Sequence, residues 1–291
     1  ASSLLVIACL LVGVAFGQAR AADALSIEVA SGPAEFVSGG EARLVIHLPD
    51  GVKWSNVSVW AGNRNVTRGF VANGAGTQLQ GVVSGLPEGD TVVTVLAGMY
   101  KEQVTLTNYP DTGPMFAGPK QEVFLCATDS HRGNAMLGPI LDEDCSVERQ
   151  VDFVYYSAEN GFQPYDAAAP RPADMTTVTL ANGATVDFIV RWERGTINRF
   201  IYSIAMLSPR SQVEERADLS GWNKRLVYQF QGGVGVGHYQ GNPSRSNMLN
   251  PELLGRGYAV AYSTANKTGE HYDLIVGGET ALMVKDRFVS A

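Results

Sequence analysis

Between residues 25 and 107 the chain repeats one pattern: short runs of alternating apolar and polar residues, each cut off by a turn signal. Residues 25–29 (LSIEV), 42–48 (ARLVIHL), 57–60 (VSVW), 81–83 (GVV), 91–96 (TVVTVL) and 103–106 (QVTL) are the runs. Ser38-Gly39-Gly40, Pro49-Asp50-Gly51, Asn73-Gly74 and Pro87-Glu88-Gly89-Asp90 separate them. A period of two puts alternate side chains on opposite faces of a strand, and several short strands at this spacing predict a two-sheet sandwich. An immunoglobulin-like β-sandwich is therefore expected over 24–108, although the Cys…Trp…Cys core of antibody domains is missing. Trp54 and Trp60 can pack in its core or stack a sugar, and core packing is the expectation.

The ends of this block set the compartment. Residues 4–16 (LLVIACLLVGVAF) form an apolar run too short for a spanning helix, followed by the small-residue site Ala19-Arg20-Ala21. Residues 1–22 therefore read as a signal peptide, and the protein is expected to be secreted or periplasmic, with no membrane association after cleavage. Cys126 and Cys145 then form an even pair expected to close as a disulfide in an oxidising compartment. The 22 basic and 29 acidic residues give a net charge of −7, the wrong sign for a nucleic-acid partner.

After a proline- and glycine-rich connection at 108–119, one strand is expected at 151–156. A hairpin follows, with Glu193-Arg194-Gly195-Thr196 as its turn. Later come buried strands at 226–230 and 257–263, a short helix near 251–255 and an amphipathic helix from Glu279 to Ser290. The 226–230 strand runs into Gly232-Gly233-Val234-Gly235-Val236-Gly237-His238. No helix start follows that would bind a pyrophosphate, and no Gly-Lys-Ser/Thr follows either, so nucleotide readings fail. Two readings stay open. One is a glycine-rich surface turn. The other is an oxyanion loop, in which glycines let backbone N–H groups approach a developing negative charge; Gly232, Gly233 and Val234 are its candidates. His238 and His271 are candidates to border a pocket at the strand ends. Asp142-Glu143-Asp144 reads as a solvated acidic turn rather than a calcium site, while His131 and Arg132 next to Asp129 fit either a substrate contact or a surface ion pair. No cofactor and no metal is expected.

Residues 118–126 (GPKQEVFLC), 228–233 (YQFQGG) and 255–263 (GRGYAVAYS) resemble a bacterial family of secreted proteins of uncharacterised function. That family is distantly similar to the tannases and feruloyl esterases among the α/β-hydrolases. The resemblance implies residues 109–291 as the first half of an α/β-hydrolase (α/β sheet) domain, truncated behind the sandwich. It also implies a serine ester hydrolase acting on a small-molecule or polymeric ester. No Gly-x-Ser-x-Gly elbow occurs in the 291 residues. Nucleophile, acid and histidine are thus expected beyond Ala291, and this fragment is expected to be inactive by itself. The alternative from another class is a non-enzymatic exported binding protein on a hydrolase-like scaffold.

Overall fold

The computed structural model describes residues 24–128, 137–210, 212, 217–235 and 238–290. The expected signal peptide (1–22) and Asp129, His131, Arg132 and Gly237 lie outside the described residues.

The first nine strands form two sheets. Strands β1 (Ser26–Val29), β3 (Ala42–His47), β7 (Gln78–Val83) and β6 (Phe70–Ala72) pair in the order β1-β3-β7-β6. Strands β2 (Val37–Ser38), β9 (Tyr100–Tyr109), β8 (Gly89–Ala97), β4 (Val57–Ala61) and β5 (Arg64–Asn65) form the second, in the order β2-β9-β8-β4-β5. Burial alternates strictly along β3 and β4, so each sheet turns one face inward. Leu44, Ile46, Val59, Leu79, Val93, Val95 and Leu106 meet there in a single apolar core. Neither Trp54 nor Trp60 belongs to that core, and Trp54 is 55% exposed.

The remaining chain centres on a six-stranded sheet. It contains β10 (Gln150–Ser157), β11 (Gly161–Pro164), β14 (Ile189–Ile197), β15 (Phe200–Leu207), β16 (Leu226–Gln231) and β17 (Ala259–Lys267), in the order β11-β10-β14-β15-β17-β16. A small hairpin of β12 (Thr177–Thr179) and β13 (Thr185–Asp187) precedes β14. Helices α1 (Arg245–Met248) and α2 (Pro251–Gly255) contribute Met248 and Leu254 to the core on one face. Helix α3 (Leu274–Ser290) contributes Met283 and Val284 to the core on the other. Both faces being covered, β15 is buried along its whole length and β17 at all but its last residue.

The expected first half of an α/β-hydrolase, an α/β sheet, is corrected here. Every neighbouring pair in the six-stranded sheet is antiparallel except β16 with β17, and two of the three described α-helices span only four and five residues. The described chain is predominantly β. The reason is local: from Gln150 to Leu207 the strands that pair are joined without an intervening helix, and antiparallel neighbours need no crossover.

Two boundaries also move. The hairpin turns at Asn198-Arg199, both at positive φ (51° and 70°), the left-handed backbone of a tight two-residue turn. Glu193 and Arg194 lie inside β14 instead, both buried. Helix α3 starts five residues before Glu279 because Asp273 caps it: its Oδ1 accepts from the N–H groups of Ile275 (3.0 Å) and Val276 (3.1 Å). Helix α3 also joins the two halves. Asp286 accepts from the Ser38 N–H at 3.1 Å, and Arg287 reaches Glu41 at 3.2 Å.

Candidate functional site

The parallel pair β16 and β17 ends with Gln231 opposite Lys267, and the glycine loop leaves from there. The turn after β17 braces it. The Thr268 N–H donates to the Gln231 carbonyl at 2.9 Å, and the Thr268 hydroxyl donates to the Gly233 carbonyl at 2.7 Å. The approach is so close that side chains are excluded. A Cβ on Gly233 (φ 124°) would sit 2.7 Å from Gly269 Cα, and one on Gly235 would sit 2.3 Å from the Gly269 carbonyl oxygen. Gly232, Gly233 and Val234 are exposed, Val234 at 84%. Among the described residues, none accepts a hydrogen bond from their three N–H groups. The exposed Phe230 ring lies 5.0 Å from Tyr228 and adds apolar surface at the strand end.

Beyond the loop the chain is sewn to the cysteine-bearing segment. Cys126 and Cys145 form the expected disulfide. Leu125 and Tyr239 make a parallel bridge, and the buried Gln240 side chain spans what surrounds it. Its Oε1 accepts from the Ala127 N–H (2.8 Å), while its Nε2 donates to the carbonyls of Cys145 (3.1 Å) and Arg199 (3.0 Å). The Tyr239 hydroxyl and the Lys267 ammonium both bind the Glu270 carboxylate. Burial raises the pKa of that carboxyl, with the Asn242 backbone N–H opposing.

The two histidines part company. His238 is exposed. His271 is 2% exposed, edge-on to Phe200 at 4.7 Å and 3.3 Å from the Gln121 amide oxygen. Burial pushes its pKa below the usual imidazole range; Asp273 opposes this and His238 adds to it. With Gln121, Phe124 and Phe200, His271 lines a small pocket. The acidic run 142–144 is a turn. Asp142 Oδ1 accepts from the N–H groups of Asp144 and Ser146, and Asp144 pairs with Lys120 at 2.7 Å. No group of acidic, histidine or cysteine side chains among the described residues is arranged to hold a metal. No described helix is long and apolar enough to cross a membrane.

Two buried polar centres had no signal in the sequence. Glu193 is fully buried under Arg287, Arg191 and Tyr202 (2.7, 3.1 and 2.8 Å). Burial alone would raise its carboxyl, but the hydrogen bonds from Arg287 and the charges of Arg287 and Arg191 outweigh it and hold the pKa down at about 2. Glu279 accepts three consecutive backbone N–H groups, from Met115, Phe116 and Ala117, and one from the Asn198 amide. Both centres join residues more than 80 positions apart, so no local spacing announces them.

Curated proteins offer no match to the chain. Among solved structures it is similar to domains 5–6 of the S-layer protein SbsC, at 16% identity over 60% of this chain and 89% of that one (TM-score 0.22). Domains 1–6 of SbsC match at 15% identity over 65% of this chain and 26% of that one (TM-score 0.24). The tandem Ig repeats of Dlar match at 12% identity over 61% and 93% (TM-score 0.23). Residues 27–291 match a single family along nearly the whole described chain. The chain belongs to the Tannase-like family of unknown function (DUF6351).

Proposed function

We propose that the protein is an exported carboxylic-ester hydrolase in which the backbone N–H groups of Gly233 and Val234, with Gly232 shaping the approach, bind the oxyanion. The observation that carries this reading is the loop itself: three exposed residues whose N–H groups have no acceptor among the described residues, on a backbone braced by Thr268 and packed against Gly269. Donors held rigid before the reaction are what acyl transfer needs, because they need not reorganise as charge develops on the carbonyl oxygen. Membership of a tannase-like family supports the ester-directed chemistry. The apolar leader 4–16 and the disulfide support export.

In the proposed reaction a nucleophile adds to the ester carbonyl and the carbonyl electron pair moves onto the oxygen held by the loop. The pair returns as the C–O bond to the alcohol breaks, the alcohol leaves with the nucleophile's proton, and water then cleaves the acyl–nucleophile bond to release the acid. Gly233 and Val234 receive the carbonyl oxygen. No nucleophile is assigned among the 291 residues, which contain no Gly-x-Ser-x-Gly segment.

The test is Val234→Pro in protein expressed from the whole reading frame, assayed on aryl esters. The substitution deletes one N–H without removing a buried side chain. Loss of one oxyanion donor should lower kcat by about 100- to 1000-fold with little change in KM. Absence of ester turnover in the unmodified protein, or an unchanged kcat in the variant, would sink the reading.

A further inference from the structure

We propose that the cleft between the sandwich and the six-stranded sheet is a binding site for an apolar monocarboxylate, an aromatic or medium-chain acid. The cleft encloses about 380 Å³, within the range of small-molecule sites. Ile204 and Met206 of β15 form its floor. Trp222 and Phe288, edge to face at 5.7 Å, form one wall, and the exposed Leu219 lies at the rim. This is a surface for a flat ring or an acyl chain rather than for a sugar.

The polar side of the cleft comes from the sandwich. Arg43 on β3 is half-buried, its Nε donating to the Val289 carbonyl at 2.5 Å. Among the described residues no carboxylate lies within ion-pairing distance of it, and burial lowers its pKa with no acidic neighbour opposing. Arg191 across the cleft is already engaged with Glu193 at 3.1 Å. A guanidinium partly removed from water beside an aromatic wall is costly unless it meets an anion, and its planar fork suits a carboxylate. The ligand that satisfies both sides carries one carboxylate and an apolar body.

The cleft is separate from the glycine loop. Met206 lies past Ala205, which pairs with Val260 near the start of β17, whereas the loop leaves opposite Lys267 at its end. Seven residues at about 3.3 Å each put the two sites about 23 Å apart along the strand. The inference therefore does not depend on the ester-hydrolase reading.

The experiment titrates 1-naphthoate, with 1-naphthalenemethanol as its uncharged counterpart, into the full chain, followed by tryptophan fluorescence and calorimetry. Saturable one-to-one binding of the acid is expected, at least about tenfold tighter than the alcohol, a difference of about 1.4 kcal/mol. Arg43→Met should erase that preference, Arg43→Lys should keep most of it, and Trp222→Leu should remove the fluorescence change. The proposal is overturned if the acid fails to saturate in the millimolar range or binds no better than the alcohol. It is equally overturned if folded Arg43→Met keeps the preference. Should Arg43→Met not fold, the acid–alcohol comparison in the unmodified chain decides the matter alone.

Discussion

The sandwich and the six-stranded sheet bury their strands by different means. In the sandwich, strands such as β3 and β4 keep one face in water, and the core is built on Leu44, Ile46, Val59, Val95 and Leu106, with Thr91 and Asn108 the polar residues buried in its strands. In the six-stranded sheet the central strands are covered on both faces. Their buried set includes Arg191, Glu193, Arg194, Ser203, Ser263 and Thr264 beside the aliphatic residues. A buried charge is tolerable only with partners of good geometry, and here the partner arrives from α3, 94 residues further along. The first kind of core is specified by periodicity. The second is specified by long-range pairing, and so should fail all at once when one member is removed.

The largest expected effect tests that contrast. Glu193→Ala removes the buried carboxylate that Arg287 and Arg191 share, leaving Arg287 its outer pair with Glu41, and should cost about 3–5 kcal/mol, read by urea unfolding. Leu44→Ala in the sandwich should cost about 3 kcal/mol through its cavity. Only the first should carry a pH signature. Glu193 is held at about 2 in the folded protein, below its ordinary value of 4.5. Its contribution is therefore fully present above the unfolded pKa and is lost as pH falls from about 4.5 through 2. Glu193→Gln should flatten that acid limb while Leu44→Ala preserves it. Parallel acid limbs in both variants would remove Glu193 as the source.

An intermediate effect comes from the covalent tie, which the sandwich lacks. The Cys126–Cys145 bridge closes a loop of 19 residues in sequence separation, worth about 3 kcal/mol in the chain-entropy account. The Cys126→Ser/Cys145→Ser double variant should lose about that much. The loss should fall on the sheet half, because Gln240 couples the bridge to Tyr239 and the glycine loop. Probes on Trp192 should register the shift and probes on Trp60 should register less. Equal midpoints at both tryptophans would mean the two halves unfold as one unit.

What was legible follows the same division. Strands with one wet face announced themselves, as at 42–48, where burial alternates residue by residue. Framed by glycines, the region from 226 to 240 also showed its punctuation. The strands buried on both faces were expected as a hairpin and as a buried run at 257–263, but neither the hairpin's turn nor their pairing showed. Glu193-Arg194 looked like a turn because charged residues next to glycine usually are one, yet their partners lie on α3, Asp152 and Gln150. The α/β-sheet expectation failed likewise. It came from the resemblance, whereas pairing between strands is a tertiary matter that neither glycines nor apolar runs encode. For the glycine loop the composition marked the place, and the reason for Gly233 and Gly235, the backbone of Gly269 beneath them, lies 34 residues or more away.

The smallest effect concerns the start of α3, which the sequence pattern places at Glu279, behind Gly277-Gly278. The helix nonetheless begins at Leu274, because Asp273 caps two N–H groups and Gly277 lies against the β17 backbone, 3.3 Å from Ala265 O to a built Cβ. Asp273→Ala should cost about 1 kcal/mol, far less than Glu193→Ala, since Glu279, Met283 and Val284 still anchor the rest of the helix. The loss should appear as faster amide exchange confined to residues 274–278, with 280–289 unchanged. Asp273→Asn, which keeps an acceptor oxygen, should restore most of the protection. If exchange accelerated through the whole helix, α3 would depend on its cap rather than on packing, and the contrast between cores specified locally and cores specified at a distance would need redrawing at this helix.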